Sequence, residues 1–252
     1  GGEPLRAVAA CGRSQRLRRR CAELLLAAGH ADLAQDLAEG WWLPAEVTAE
    51  ARALQAARAG NYVQLPDSVQ LLVVEDEEQL AAAFARLEGA SAVGLDVEMH
   101  RGDAVLAQVG AKDCVLLLDL LPLGESAALG DAFGRLLADS RTTMLGFGAA
   151  QDVKTLRRLP GLEGCCGHLR ESLLDLQRST AEQRASRSQN SSIKKEMQGL
   201  SLSRLAQDVF GKPLDKSLRM SDWTRRPLLE AQRRYAALDA WILPELFERL
   251  GQ

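Results

Sequence analysis

No run of apolar residues in the 252-residue chain approaches the ~20 needed for a bilayer-spanning helix, so no membrane partner is expected. Cysteine is sparse and scattered. Cys11, Cys21, Cys114, Cys165 and Cys166 include no Cys-x-x-Cys spacing, which leaves no zinc site or redox pair to read and points to reduced thiols in an intracellular setting, cytoplasmic rather than nuclear. Histidine occurs only three times, too few for a site built on imidazole. Charge of one sign is missing as well: 31 basic against 34 acidic residues give a net charge of −3, so any nucleic-acid surface has to be local. The opening Gly1-Gly2-Glu3 is neither a signal peptide nor a natural start, which predicts a piece excised from a longer chain.

What is present is ordinary for a globular protein, 46% hydrophobic and 26% charged, enough for one large or two modest domains. Residues 1–65 read as a helical amino-terminal module. Ala, Leu, Arg and Glu dominate residues 13 to 60, with breaks at Gly29, Gly40 and Pro44 that divide it into three helices, stacked as pairs. Leu17, Cys21, Leu24, Leu25 and Ala28 follow helical spacing, as do Leu33, Leu37 and Trp41. The cluster Arg13, Arg16, Arg18, Arg19 and Arg20 fits a solvated helix face or a phosphate contact, and Trp41-Trp42 fits packing or base stacking.

Beyond a boundary at Asn61 to Pro66 the texture changes. Gln70 to Val74 reads as a strand, and Asp76 caps a helix over Glu77 to Glu88. Ala92 to Glu98 is the next strand; Val105 to Val109 and Val115 to Leu118 continue it as a meander. A helix over Ser126 to Leu137, a strand over Thr143 to Gly146 and another over Ser172 to Leu176 follow. Gln177 to Glu196 is polar and Ser-rich and reads as a mobile loop; helices resume at Ser201 to Phe210 and from Leu228, with a kink expected at Pro244. Hairpin-paired strands followed by alternating strands and helices imply a mixed α/β sheet with helices on its faces over residues 66–252.

The strand Ala92 to Glu98 ends in two carboxylates one residue apart. Asp96 and Glu98 therefore aim to the same face, where at ~4 Å and an effective dielectric of ~20 they repel by roughly 4 kcal/mol unless a cation sits between them. Alone, the pair equally fits a strand end emerging into solvent. Two further features add to it: Asp152, opening a helix after Gly146-Phe147-Gly148-Ala149-Ala150-Gln151, and Tyr235-Ala236-Ala237-Leu238-Asp239 on the last helix, where Tyr235 and Asp239 share a face. Asp175 is a fifth acid, read as structural.

In this order the residues resemble the DEDD 3'-5' exonucleases, in the subgroup with tyrosine, which includes RNase D and the Werner-type nucleases. The resemblance runs from about residue 66 to 250. The segment Leu214-Asp215-Lys216-Ser217 through Ser221-Asp222-Trp223-Thr224-Arg225-Arg226-Pro227-Leu228 closely resembles the stretch before the Tyr-x3-Asp helix in those enzymes. The helical module ahead of the nuclease makes the chain most similar to the Nibbler-type branch.

The resemblance implies a ribonuclease H-like fold and a two-metal hydrolysis of phosphodiester bonds. An all-carboxylate site calls for hard cations, so two Mg2+ or Mn2+ ions ~3.5 to 4 Å apart are expected. By resemblance Asp96 bridges both ions, Glu98 and Asp239 complete one, Asp152 holds the other largely through water, and Tyr235 orients the attacking water. Lys216, Arg225 and Arg226 are phosphate-contact candidates; Trp223 fits base stacking or packing. Met99 stands where relatives carry an aromatic residue, and Gly146-Phe147-Gly148 replaces the His-Asn pair of some relatives. These departures leave the ligands intact and alter the lip, where Met99 joins the nucleic-acid contacts. His100 has no matching role. The implied substrate is single-stranded RNA trimmed from its 3' end, with a protein partner recruiting substrate through the amino-terminal helices. DNA cleavage of the Werner type, an endonuclease on the same fold and a binding module without turnover are the alternatives.

Overall fold

The computed structural model describes Cys11, residues 14–27, Ala34, Leu37, residues 60–187 and residues 192–251. Six strands form one sheet: β1 (Gln70–Val74), β2 (Ala92–His100), β3 (Asp103–Gly110), β4 (Cys114–Asp119), β5 (Thr143–Gly146) and β6 (Leu173–Asp175). They lie in the order β1-β4-β3-β2-β5-β6. The β2-β3 and β3-β4 pairs are antiparallel and the remaining three are parallel, which is the mixed sheet expected from hairpins followed by crossovers.

Strand parity sorts the core into two layers. In β4, Cys114, Leu116 and Leu118 face one layer while Val115 and Leu117 face the other, so an unbroken apolar run is what a strand covered on both sides requires. The first layer is roofed by α2 (Glu77–Ala85), α4 (Ala127–Ala138), α5 (Ala150–Leu156) and α6 (Cys166–Ser172); α3 (Leu120–Leu123) is a single turn after β4. Asp76 and Ser126 cap α2 and α4 by accepting from Gln79 N–H and Leu129 N–H, and α2 ends at Ala85, short of Glu88. The second layer is covered by α9 (Leu202–Phe210) and the long α10 (Glu230–Leu250), which runs unbroken through Pro244.

Two expectations need correction. The stretch from Gln177 to Glu196 is not a loop: α7 (Leu176–Arg187) and α8 (Ile193–Gly199) occupy the described parts of it. Gln177 ties them together by donating Nε2 to Leu200 O at 2.8 Å, and Arg184 on α7 pairs with Asp208 on α9 at 2.9 Å. In α1 (Gln15–Ala27) the buried stripe is Cys21, Ala22, Leu25 and Leu26, packed with Leu218 and Ala231 of the carboxy-terminal part. Leu17 and Leu24 are instead exposed. Leu33, Trp41, Trp42 and the breaks at Gly29, Gly40 and Pro44 lie outside the described residues. Cys11, Cys21, Cys114 and Cys165 are buried and outside any disulfide among the described residues, and no helix among the described residues is long and apolar enough to cross a membrane.

Helix α10 is set against the sheet by a bald patch. Gly94 and Gly110 are cross-strand partners, and a Cβ on Gly94 would meet Ala240 O at 2.1 Å while one on Gly110 would meet Trp241 N at 2.9 Å. Only hydrogen at both positions lets the helix backbone lie directly on the strands. The next pair on the same face of the ladder is Asp96 with Gln108, so the same contact that seats Ala240 carries Asp239, one residue earlier, to the carboxylates of β2. Gly94→Ala is expected to lift α10, cost about 1–3 kcal/mol from overpacking and lower activity, as urea denaturation and turnover would show. Unchanged stability would contradict this seating.

Candidate active site

A cleft of about 420 Å³ opens at the end of β2, and Asp96, Glu98, Asp152, Tyr235 and Asp239 all line it. Three elements deliver them. Asp96 and Glu98 share the α10-facing side of β2, Asp152 is the third residue of α5, and Tyr235 and Asp239 are one turn apart on α10. Asp96, Glu98 and Asp239 each bring a carboxylate oxygen within 4.8 Å of the others; Asp152 stands apart from this trio on the same cleft wall.

Crowding three acids in a partly buried site lifts their affinity for protons. Burial, followed by the charges of Asp239 and Asp152, pushes Asp96 up to about 8. Burial, followed by the charge of Asp96, pushes Glu98 to about 9. Asp239 is also raised by burial, against the opposing pull of Lys216. Asp152 rises to about 6 through burial and the charge of Asp175, so desolvation outweighs the helix-end stabilisation expected from its position. Tyr235 is driven well above the ordinary tyrosine range by burial and then by Asp239, so its hydroxyl keeps its proton.

This donor set fits a divalent cation. It is all oxygen, it is packed closely enough to hold its own protons, and the protein already supplies one positive group to it: Lys216 Nζ donates to both oxygens of Asp239, at 2.8 and 3.0 Å. The same Nζ lies 5.5 Å from the Tyr235 ring centroid. A pH dependence follows. Carboxylates with ordinary values of ~4 in the unfolded chain are held at about 8 and about 9 in the fold, so the native state binds the extra protons. Metal-free stability should therefore fall as pH rises through that window, and the stabilisation by Mg2+ should grow over the same range. Melting in chelator and in Mg2+ at about pH 6 and about pH 8.5 checks this; a flat or rising chelator series would contradict it.

The other expected contacts divide. Met99 is half-buried and lines the cleft, as do Lys216 and two residues that charge and motif reading passed over, Arg219 and Met220, the latter 69% exposed. Trp223 is 1% exposed, so no ring face is open to a base. It packs against the Tyr235 ring at 5.8 Å and supports that side chain from behind. Arg226 is not a phosphate contact. Its Nε and Nη2 pair with the two oxygens of buried Asp119, Nη2 also reaches Val105 O, and Nη1 donates to Trp223 O and Arg225 O, which uses all five guanidinium hydrogens. Arg225 is half-buried, with its Nε hydrogen lacking a partner. Asp175 is structural, as read: it accepts from Gly148 N–H at 2.9 Å, Ala149 N–H at 3.3 Å and Gln177 N–H at 2.9 Å. It thereby fixes the turn, with Gly148 at φ +63°, that leads into Asp152.

A family model described as 3'-5' exonuclease matches residues 71–252. The human exonuclease mut-7 homolog is 32% identical over 82% of this chain and 27% of its own length. Ribonuclease D of Gluconacetobacter diazotrophicus is 30% identical over 73% of this chain and 42% of its own length, so the chain spans between a quarter and a half of these relatives. Among solved structures, the Aedes aegypti Nibbler EXO domain superposes with a TM-score of 0.59 at 22% identity, covering 75% of this chain and 89% of that one. That likeness shows the fold alone, the mixed sheet with flanking helices expected of a ribonuclease H-like protein.

Proposed function

The chain belongs to the 3'-5' exonuclease family, and from that premise we propose that it removes nucleotides from the 3' end of single-stranded RNA with Asp96, Glu98, Asp152 and Asp239 holding two Mg2+ or Mn2+ ions. The observation that carries the reading is the gathering of Asp96, Glu98 and Asp239 within 4.8 Å in a cleft that also holds Asp152 and Tyr235. When bound, the ions would supply positive charge at the scissile phosphate and make water acidic enough to attack it.

The protein's own groups do the rest. Tyr235 keeps its proton and hydrogen-bonds with Asp239, so it orients water and does not act as a base. Trp223 behind the ring holds that hydroxyl in place. With cations held by the acids, Lys216 would be released from Asp239 and could meet the phosphate. Tyr235→Phe should slow turnover by ~10- to 1000-fold, the range for loss of one positioned group, while calorimetry finds metal affinity nearly unchanged. Lost metal binding or an unaltered rate would remove Tyr235 from this role.

The preference for RNA is supported by the kinship to a ribonuclease D. The cleft suits a flexible end, since a terminal nucleotide has to reach acids that are largely buried, and unpairing a duplex adds a cost. Helix α1, with Leu17 and Leu24 exposed, offers a surface for a protein that brings substrate. Matched 5'-labelled single-stranded RNA and DNA at equal salt test the substrate. Faster loss from the RNA 3' end supports the reading, and a clear preference for DNA would replace it with the Werner-type one.

A further inference from the structure

Helix α5 separates the acid cleft from a second groove, of about 820 Å³. Gly148 and Asp152 line the cleft, whereas Ala149, Ala150 and Val153 line the groove, so the two adjoin along the turn that Asp175 holds. Four exposed cations converge on the groove from three elements: Lys154 and Arg157 near the end of α5, Arg170 in the last turn of α6 and Arg178 in the first turn of α7. Lys154 and Arg157 are three residues apart and share a helix face.

Two carboxylates line the groove with them, leaving a surplus of two positive charges on a chain whose net charge is −3. Both carboxylates are engaged. Asp175 is spent on backbone N–H groups, and Glu182 accepts from Arg178 Nε at 2.9 Å. Lys154, Arg157 and Arg170 form no ion pair among the described residues. The floor is the sheet-edge strand β6, where Leu173 and Leu174 are half-buried and offer apolar surface between the cations.

We propose that this groove carries the phosphodiester backbone of the single strand immediately 5' of the nucleotides in the acid cleft. The proposal rests on the exonuclease reading. At ~1.5 Å per helical residue, Arg157 stands about 7.5 Å along α5 from Asp152, close enough for a strand leaving the cleft to meet Lys154 and Arg157 first, and Arg170 and Arg178 after. Such contacts are ionic and indifferent to base sequence, which suits an enzyme that must hold any strand as its end shortens. An acidic peptide is the rival occupant. It would account for the charge but not for the shared wall with the acid cleft.

The test compares wild type with Arg157→Glu/Arg170→Glu and with Arg157→Lys/Arg170→Lys, all checked for native melting. Binding to a fluorescent single-stranded RNA of about twelve nucleotides is measured by anisotropy in chelator; the charge reversal should weaken it about tenfold or more and make the log–log salt dependence shallower by about 1.4, at ~0.7 per contact. The lysine pair should bind within about threefold of wild type, because phosphate contact needs charge more than fork geometry. Hydrolysis of a trinucleotide, which carries only the phosphates nearest the acids and cannot span the groove, should change far less than binding of the longer strand. Equal binding and equal salt dependence in the reversal variant would overturn the proposal, as would a polyglutamate peptide depending on the two arginines when the RNA does not. If wild type fails to hydrolyse the trinucleotide, the exonuclease reading falls, and the chelated binding comparison still decides the groove.

Discussion

Asp96→Asn should abolish metal-dependent trimming while the protein folds and, in chelator, melts higher than wild type. Both halves come from one feature. Burial and the neighbouring carboxylates push Asp96 to about 8, so in the absence of metal the charged form is a liability that an amide removes. With metal, the same carboxylate is a proposed ligand, and loss of several kcal/mol of transition-state charge stabilisation corresponds to about a thousandfold or greater drop in rate. Asp239→Asn should lose activity in the same way. Its effect on the chelated protein should be smaller, because Asp239 has Lys216 as a counter-ion at 2.8 Å and the asparagine would leave that ammonium without its partner. An Asp96→Asn protein with native melting and near-normal cleavage would show that the site has been misassigned.

Arg226→Ala should produce the largest loss of stability, and its effect on substrate binding should be indirect. Asp119, 3% exposed at the end of β4, would be left as a buried carboxylate retaining only the Leu121 N–H at 3.0 Å. Removing one member of a buried ion pair costs about 3–5 kcal/mol, which for a domain of this size lowers the melting temperature by roughly 10 °C. The guanidinium also gathers the carbonyls of Val105, Trp223 and Arg225, so its loss loosens the segment that supports Tyr235. Arg226→Ala with wild-type melting and weakened RNA binding would restore the phosphate role that charge counting gave it.

That contrast shows what sequence could and could not disclose. The acids were legible because parity on β2 and the four-residue spacing on α10 dictate a shared direction before any tertiary contact is known. Strands β1 and β5 match the expected spans, Gln70 to Val74 and Thr143 to Gly146, because a β-branched or apolar run bounded by polar residues leaves little freedom. Arg226 was misplaced, and Trp223 left open between stacking and packing, for the opposite reason. A positive charge or an indole near an active site reads as a substrate contact until its partners are known, and those partners lie far away in sequence. Helices α7 and α8 were missed because α7 buries little beyond Leu176, Thr180 and Ala181; ion pairs and the Gln177 bridge hold it, and neither leaves a periodic apolar signature. In α1 the spacing was right and the face was off by one stripe, since Cys21-Ala22 and Leu25-Leu26 pack where Leu17 and Leu24 were expected to. Gly94 and Gly110 are sixteen residues apart and carry no motif, yet their pairing under α10 is what brings Asp239 to Asp96.

The central claim is that this cleft is a metal-dependent nuclease site acting from the 3' end. The most direct measurement follows a 5'-labelled single-stranded RNA with wild type and Asp96→Asn, in Mg2+, in Mn2+ and in chelator. The account predicts a ladder shortening from the 3' end with released mononucleotides, present only for wild type with metal and blocked when the 3' end is sealed. Cleavage that persists in chelator, persists in Asp96→Asn or begins at internal positions would contradict it.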